Sequence, residues 1–201
     1  MRADLAAPLI FSAWSRQFVR ALGIDDLGGP AVYERVLGAR SFRDALEGVL
    51  ERDDAWWCDD KTTADKAETC EQISNMALTR ALDELQRRHG ADVSTWRWGD
   101  AHVARSEHRP FSRVKGIAPL FELRVPTGGD TYTLNVGRVG VKPDGTTGEL
   151  YLNEHAPSLR AIYDLGDLSR SRVMHSTGQS GLPWTRHYRS FLAPWARGEL
   201  W

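Results

Sequence analysis

Several residues here are of types that do chemistry, and their spacing decides which chemistry is open to them. Near the carboxyl end the run Gly178-Gln179-Ser180-Gly181-Leu182 sets a serine among glycines, with His187 shortly after. A hydrolase nucleophile elbow reads G-x-S-x-G, because glycines on both sides permit the strained strand-to-helix turn that presents the hydroxyl. In this run the second glycine comes one position early, and a base near in sequence is a triad partner only if the fold brings it to the hydroxyl. The expectation is a glycine-rich turn between the last strand and the last helix, with a Ser180–His187 hydrolase as the minor alternative. An acidic loop carries Asp53, Asp54, Asp59 and Asp60. Carboxylates at that density can bind calcium, but the D-x-[DN]-x-[DN]-G pattern is missing, so a solvated loop and no metal site are expected. The histidines at 89, 102, 108, 155, 175 and 187 show no H-E-x-x-H and no other tight ligand spacing. His102 and Asn135 remain as residues that could face a substrate, or could equally be structural hydrogen-bonders. Cys58 and Cys70 are the only cysteines. Bridged, they would close a short loop worth about 3 kcal/mol on the chain-entropy estimate and imply an oxidising compartment. Unbridged, they would be two buried thiols, and spacing leaves both readings open.

The elements that must position these residues change character halfway. Pro8 to Leu22 places Ile10, Trp14, Phe18 and Leu22 on one helical face, and Pro30 can open a second helix running to Leu37. Ser41 to Glu51 is a third helix, with Ser41 as its cap. Thr62 and Asp65 suggest a capping box for a long helix ending at His89, with Ala67, Cys70, Ile73, Ala77, Ala81 and Leu85 as its buried stripe and Gly90 as its stop. From Ser94 the period becomes two. Trp98–Ser106 and Asp130–Gly137 read as strands, the latter with Tyr132, Leu134 and Val136 on one side. Up to three more strands fall between Gly148 and Thr177, and a final helix begins near Trp184, to be kinked or ended by Pro194. Helices, then strands, then a helix is an α+β order and not a βαβ one. Residues 1–201 are expected to form a single region, mainly helical over 1–93 and mainly antiparallel strands with a terminal helix over 94–201.

Composition narrows the partners. The 26 basic and 27 acidic residues give a net charge of −1, and no segment interleaves cations with aromatics, so a nucleic-acid partner has no support. The apolar run Leu5–Phe11 is too short to span a membrane, and Met1-Arg2-Ala3-Asp4 does not resemble a signal peptide, so no export address is expected in the chain itself. Eight tryptophans suit a core or an interface.

Four ordered stretches carry a resemblance: "STWRWGDAHVARSEHRPF" (94–111), "GGDTYTLNVGRV" (128–139), "APSLRAIYDLGDLSRSRV" (156–173) and "TGQSGLPWTRHYRSFLAPWARGELW" (177–201). Together they resemble the C-terminal part of the β-subunit of the penicillin acylase (penicillin amidase) family. "WCDDKTTADKAETC" (57–70) is similar to a cysteine-paired loop of exported members, which implies a Cys58–Cys70 disulfide. The resemblance implies part of a four-layer αββα N-terminal nucleophile hydrolase sandwich. It also implies hydrolysis of linear amides in β-lactam side chains, acyl-homoserine lactones or lipopeptides. A serine freed by self-cleavage attacks, its own α-amine serving as base. That serine, the oxyanion-hole asparagine and the family's calcium site are expected upstream, in a partner portion of the acylase. The chain begins Met1-Arg2-Ala3, so it is expected to lack the nucleophile and to be inactive alone. The run 176–201 is expected to be a structural tail, with Leu182 and Arg189 departing from the family's usual asparagine and aspartate. Periplasmic or extracellular location follows if the full protein is made. The rival reading is a non-catalytic remnant or interaction module docking on a partner chain. Open edges and apolar faces are expected wherever upstream segments would normally pack.

Overall fold

A computed structural model describes residues 1–143 and 148–200. The content is mixed helix and small sheets, as an α+β chain requires, in two compact units: Ala6–Trp96, and Met1–Leu5 together with Arg97–Trp201.

The first unit is helical. Helices α1 (Ala7–Gly23), α2 (Pro30–Val36), α3 (Arg40–Glu51), α4 (Ala55–Cys58) and α5 (Cys70–His89) follow one another. Apolar residues four or five apart give α1 and α5 facing stripes: Leu9, Ala13, Phe18 and Leu22 on one, Ile73, Ala77, Ala81 and Leu85 on the other, all buried. Trp14 stacks on Phe18 at 5.4 Å between ring centroids, and its indole N–H donates to the Ser74 carbonyl at 3.3 Å. Leu46 of α3 and Cys58 complete this core. Pro30 opens α2, where a missing N–H costs nothing, and Gly90, at φ +86°, ends α5.

Two helix starts differ from expectation. α5 begins at Cys70, not near Thr62, because the Asp60 side chain accepts both the Thr62 N–H (3.0 Å) and its hydroxyl (2.6 Å). With its hydroxyl so engaged, Thr62 closes a turn. The working capping box is Thr69 with Gln72, each side chain bonded to the other's main-chain N–H. α3 is preceded by Ala39 at the cap position, and Ser41 lies inside the first turn. Cys58 and Cys70 are bridged, with Cα atoms 4.8 Å apart, so of the two readings left open the structure has the disulfide.

The second unit holds two small sheets. β1 (Val103–Ser106) pairs antiparallel with β2 (Leu123–Pro126) and parallel with β4 (Asn153–His155), which pairs antiparallel with β3 (Arg138–Val139), giving the order β2-β1-β4-β3. β5 (Leu159–Ile162) and β6 (Arg172–His175) form a separate antiparallel hairpin. Ala104, Met174 and Trp195 are buried together, the last from a short helix, Leu192–Ala196. The amino-terminal residues join this unit through main-chain bonds: Gly99 N–H to Ala3, Trp98 N–H to Leu5, and Gly129 N–H to Met1.

Three sequence expectations are corrected here. Trp98–Ser106 is not one strand: Trp98–Ala101 forms a helical turn, α6, and the strand starts only at Val103. Asp130–Gly137 is not a strand but a series of turns, and Tyr132, Leu134 and Val136 are exposed. There the Asp130 carboxylate accepts the N–H groups of Tyr132 (2.7 Å) and Thr133 (2.9 Å), offering the main chain an alternative to a ladder. The last helix begins at Leu192, not Trp184, so Pro194 falls in its first turn. A main-chain N–H there would have no helical partner, so the one proline lacks is not missed, and Pro194 neither kinks nor ends the helix. Trp201, the end of the predicted tail, lies outside the described residues.

Candidate functional site

His102 ends the α6 turn just before β1, and its position follows from local spacing. Trp98 precedes it by four residues, so one helical turn stacks indole on imidazole, 4.4 Å between centroids and 11° between planes. The Trp98 indole N–H is itself held by the Gly129 carbonyl at 2.9 Å. Around the imidazole lies a buried polar knot. Its Nδ1 is 2.8 Å from the Tyr151 carbonyl, which can only accept, so Nδ1 carries the proton. Burial disfavours the cation and lowers the His102 pKa below its ordinary value, outweighing the Tyr151 carbonyl and Asp130, which favour it. The ring is therefore neutral near pH 7, with a bare lone pair on Nε2, and Nε2 has no hydrogen-bond partner among the described residues.

The rest of the knot is assigned the same way. The His102 carbonyl accepts from the Thr127 N–H (3.0 Å) and from the Thr127 hydroxyl (2.8 Å), which uses the hydroxyl proton. The amide of Asn153 must then donate to Thr127 Oγ1 at 3.0 Å, which leaves Asn153 Oδ1 without a partner among the described residues. Gly137 packs against the His102 ring nitrogen and the Asn153 amide: a Cβ placed there would come 2.8 Å from His102 Nε2 and 2.7 Å from Asn153 Nδ2. A fully buried lone pair covered this way is a base in chemistry but has no described route to solvent.

Asn135 belongs to a different contact. Its Oδ1 accepts from Arg160 at 2.5 Å, and the same guanidinium donates to the Trp195 carbonyl and lies 5.0 Å from the centre of the Trp195 ring. Its main-chain oxygen would be 1.9 Å from a Cβ on Gly129, which also sits at φ +83°, so only glycine fits. Gly129 thus lies between the surroundings of the two candidates, holding Trp98 by its carbonyl and passing under Asn135.

Ser180 and His187 are not brought together as nucleophile and base. The Ser180 hydroxyl accepts the Leu182 N–H at 3.1 Å, while His187 Nε2 accepts from Arg186 at 3.2 Å. What connects the two segments is main chain: the N–H groups of Gln179 and Ser180 both point to the His187 carbonyl. A Cβ on Gly178 would sit 2.1 Å from that carbonyl oxygen, the reason the turn needs glycine. Tyr188 is buried, its hydroxyl donating to the Phe121 carbonyl.

The acidic loop is engaged locally. Asp54 accepts the Trp56 N–H, Asp59 accepts from Glu68 N–H and Lys61, and Asp60 holds Thr62. Calcium asks for six to eight converging oxygens, and among the described residues no group of three or more His, Cys, Asp or Glu is placed to hold a metal.

Sequence reasoning did not single out Thr127, Asn153 or Arg160. The four-residue step from Trp98 to His102 was the only local signal for the knot, because Thr127 arrives just after β2, Tyr151 just before β4 and Asn153 at the start of β4. Two open grooves are present, about 410 Å³ beside Phe11, Trp14 and Leu78 and about 440 Å³ beside Leu120, Arg124 and Arg189. Neither is lined by His102, Asn135 or Ser180.

Comparison with known proteins adds what geometry does not. The family model for penicillin amidase matches residues 1–201. A Pseudomonas putida protein named acyl-homoserine lactone acylase QuiP is 33% identical over 198 residues, covering 95% of this chain and 23% of the relative. Proteins of the same name from Pseudomonas syringae pv. syringae and Pseudomonas aeruginosa are each 28% identical, over 204 and 215 residues, covering 99% of this chain. The chain spans 23–25% of the length of these curated relatives. No helix among the described residues is long and apolar enough to cross a membrane.

Proposed function

Because this chain belongs to the penicillin amidase family, we propose that it is the carboxy-terminal scaffold of a larger acylase that hydrolyses the amide of acyl-homoserine lactones. The observation that carries this reading is the asymmetry of the matches: nearly all of this chain aligns with about a quarter of each relative. Amides of β-lactam side chains and lipopeptides are the neighbouring substrate classes. The two units would contribute to the αββα sandwich of an N-terminal nucleophile hydrolase. The nucleophilic serine with its α-amine, the oxyanion-hole donor and the calcium site would belong to the remainder of the protein. A free α-amine suits that role because it titrates near pH 8 and can accept the serine proton.

The chain's own residues support a scaffold role. The Ser180 hydroxyl serves a turn, the His102 lone pair is buried, and the acidic loop caps its neighbours. The Cys58–Cys70 bridge supports an oxidising compartment, periplasmic or extracellular.

Intact mass and N-terminal sequencing of the protein from its native source, with homoserine-lactone release as the assay, test the proposal. The expected result is activity in a species that contains further chain beginning with serine. Full activity in a 22.6 kDa species beginning at Met1 would refute it.

A further inference from the structure

The β5–β6 hairpin ends in an apolar tip. Ile162, Tyr163, Leu165 and Leu168 lie within seven residues of sequence and are 60%, 65%, 90% and 69% exposed. The base of the hairpin, by contrast, is anchored. Arg160 and Met174 are paired across the strands, Met174 in the core and Arg160 tied to Trp195 and Asn135.

The tip is also built to hold one shape. Asp164 Oδ1 accepts the N–H groups of Gly166 (3.0 Å) and Asp167 (3.2 Å), its Oδ2 pairs with Arg170 at 2.8 Å, and its N–H donates to Ser171 Oγ at 3.2 Å. Asp167 caps the 3₁₀ turn Leu168–Arg170. A solvent loop puts polar residues outward. Here the polar side chains organise the turn while the large apolar ones are left exposed. Apolar surface gathered like this, with polar groups around it, marks a binding site.

We infer that this tip, Ile162 to Leu168, docks into an apolar recess on the part of the acylase beyond these 201 residues. The inference rests on the scaffold reading above. Three observations select that occupant. The relatives have roughly three-quarters of their length outside the matched region, so a covering chain of ample size belongs to such a protein. Asp164 and Asp167 balance Arg170 and Arg172 around the tip, which gives no net charge to draw it to acidic lipid or nucleic acid. The hairpin is a two-stranded sheet, too small to be a stable end in itself and with edges open to further pairing.

The test is hydroxyl-radical footprinting of the protein from its native source, read at Tyr163, Leu165 and Leu168 alongside native mass. Buried Tyr33 is the protected reference and a synthetic 159–175 peptide the fully reactive one. The expected result is a species containing further chain in which the tip reacts at least about tenfold more slowly than the peptide, as an interface core excludes solvent. Weaker protection in such a species overturns the docking but leaves the scaffold reading standing. A lone 22.6 kDa chain defeats the scaffold reading and this inference with it. A protected tip in a multiple of 22.6 kDa assigns a second copy as the occupant and overturns the one proposed. Leu165→Asp supplies the second arm. At 90% exposure Leu165 is not part of the packed core of the described residues, so circular dichroism should not change while Tyr163 labelling rises toward the peptide's. Unchanged Tyr163 labelling in that variant overturns the inference.

Discussion

Acidification should destabilise the sheet unit through His102; the structure sets the sign, and proton linkage sets the upper limit of the size. The folded imidazole is neutral, its Nδ1–H held by the Tyr151 carbonyl and its pKa lowered by burial. An unfolded histidine takes up a proton near pH 6.5. Below that pH the unfolded chain binds a proton the folded chain resists, so stability is fully retained above about 6.5 and is lost as pH falls toward the lowered folded value. One differential proton is worth at most about 1.4 kcal/mol per pH unit, so going from 6.5 to 5.5 should cost no more than about 1 kcal/mol. The assay is urea unfolding from pH 7.5 to 5.0 on the wild type and on His102→Phe. Phenylalanine keeps a ring against Trp98 and removes the titration. Loss of the bond to Tyr151 lowers the variant's stability by a pH-independent amount, so the difference between the two curves isolates the proton. Nitrogen NMR of the ring checks the tautomer directly. Parallel pH dependence in the two proteins, or a protonated Nε2 at pH 7, would refute the reasoning.

Gly137→Ala should destabilise by about 1–3 kcal/mol, since a methyl would come within 2.8 Å of His102 Nε2 and 2.7 Å of Asn153 Nδ2; denaturant midpoints measure it. Replacing Cys58 and Cys70 together by serine should lower the stability of the helical unit by about 3 kcal/mol, read from its thermal transition with and without reductant. Ser180→Ala should leave acylase activity of the complete protein unchanged, and a fluorophosphonate probe should not label Ser180. Loss of labelling in that variant would restore the serine hydrolase reading.

The family was legible in the sequence, because ordered stretches such as 94–111 and 128–139 keep a likeness that does not depend on where each strand begins. The long helices were legible too. Apolar residues at steps of about one turn force a face on any segment long enough to show it, as in the Ile73–Leu85 stripe; in Ala7–Gly23 the expected Phe18 and Leu22 are buried, but with Leu9 and Ala13 in place of Ile10 and Trp14, which are only half-buried. Local competition among polar side chains was not legible. Asp60 capturing Thr62 moved a helix start, and Asp130 capturing Tyr132 and Thr133 turned an alternating segment into exposed turns. In both places a short carboxylate satisfies main-chain N–H groups more locally than the element that periodicity predicts. The unpartnered atoms of His102 and Asn153 were least legible of all. The His102 lone pair exists because a carbonyl at residue 151 fixes the other ring nitrogen, and the Asn153 oxygen is left over because Thr127 has already given its proton to residue 102. Those contacts join residues 25 to 49 positions apart, a separation only the folded sheet can close.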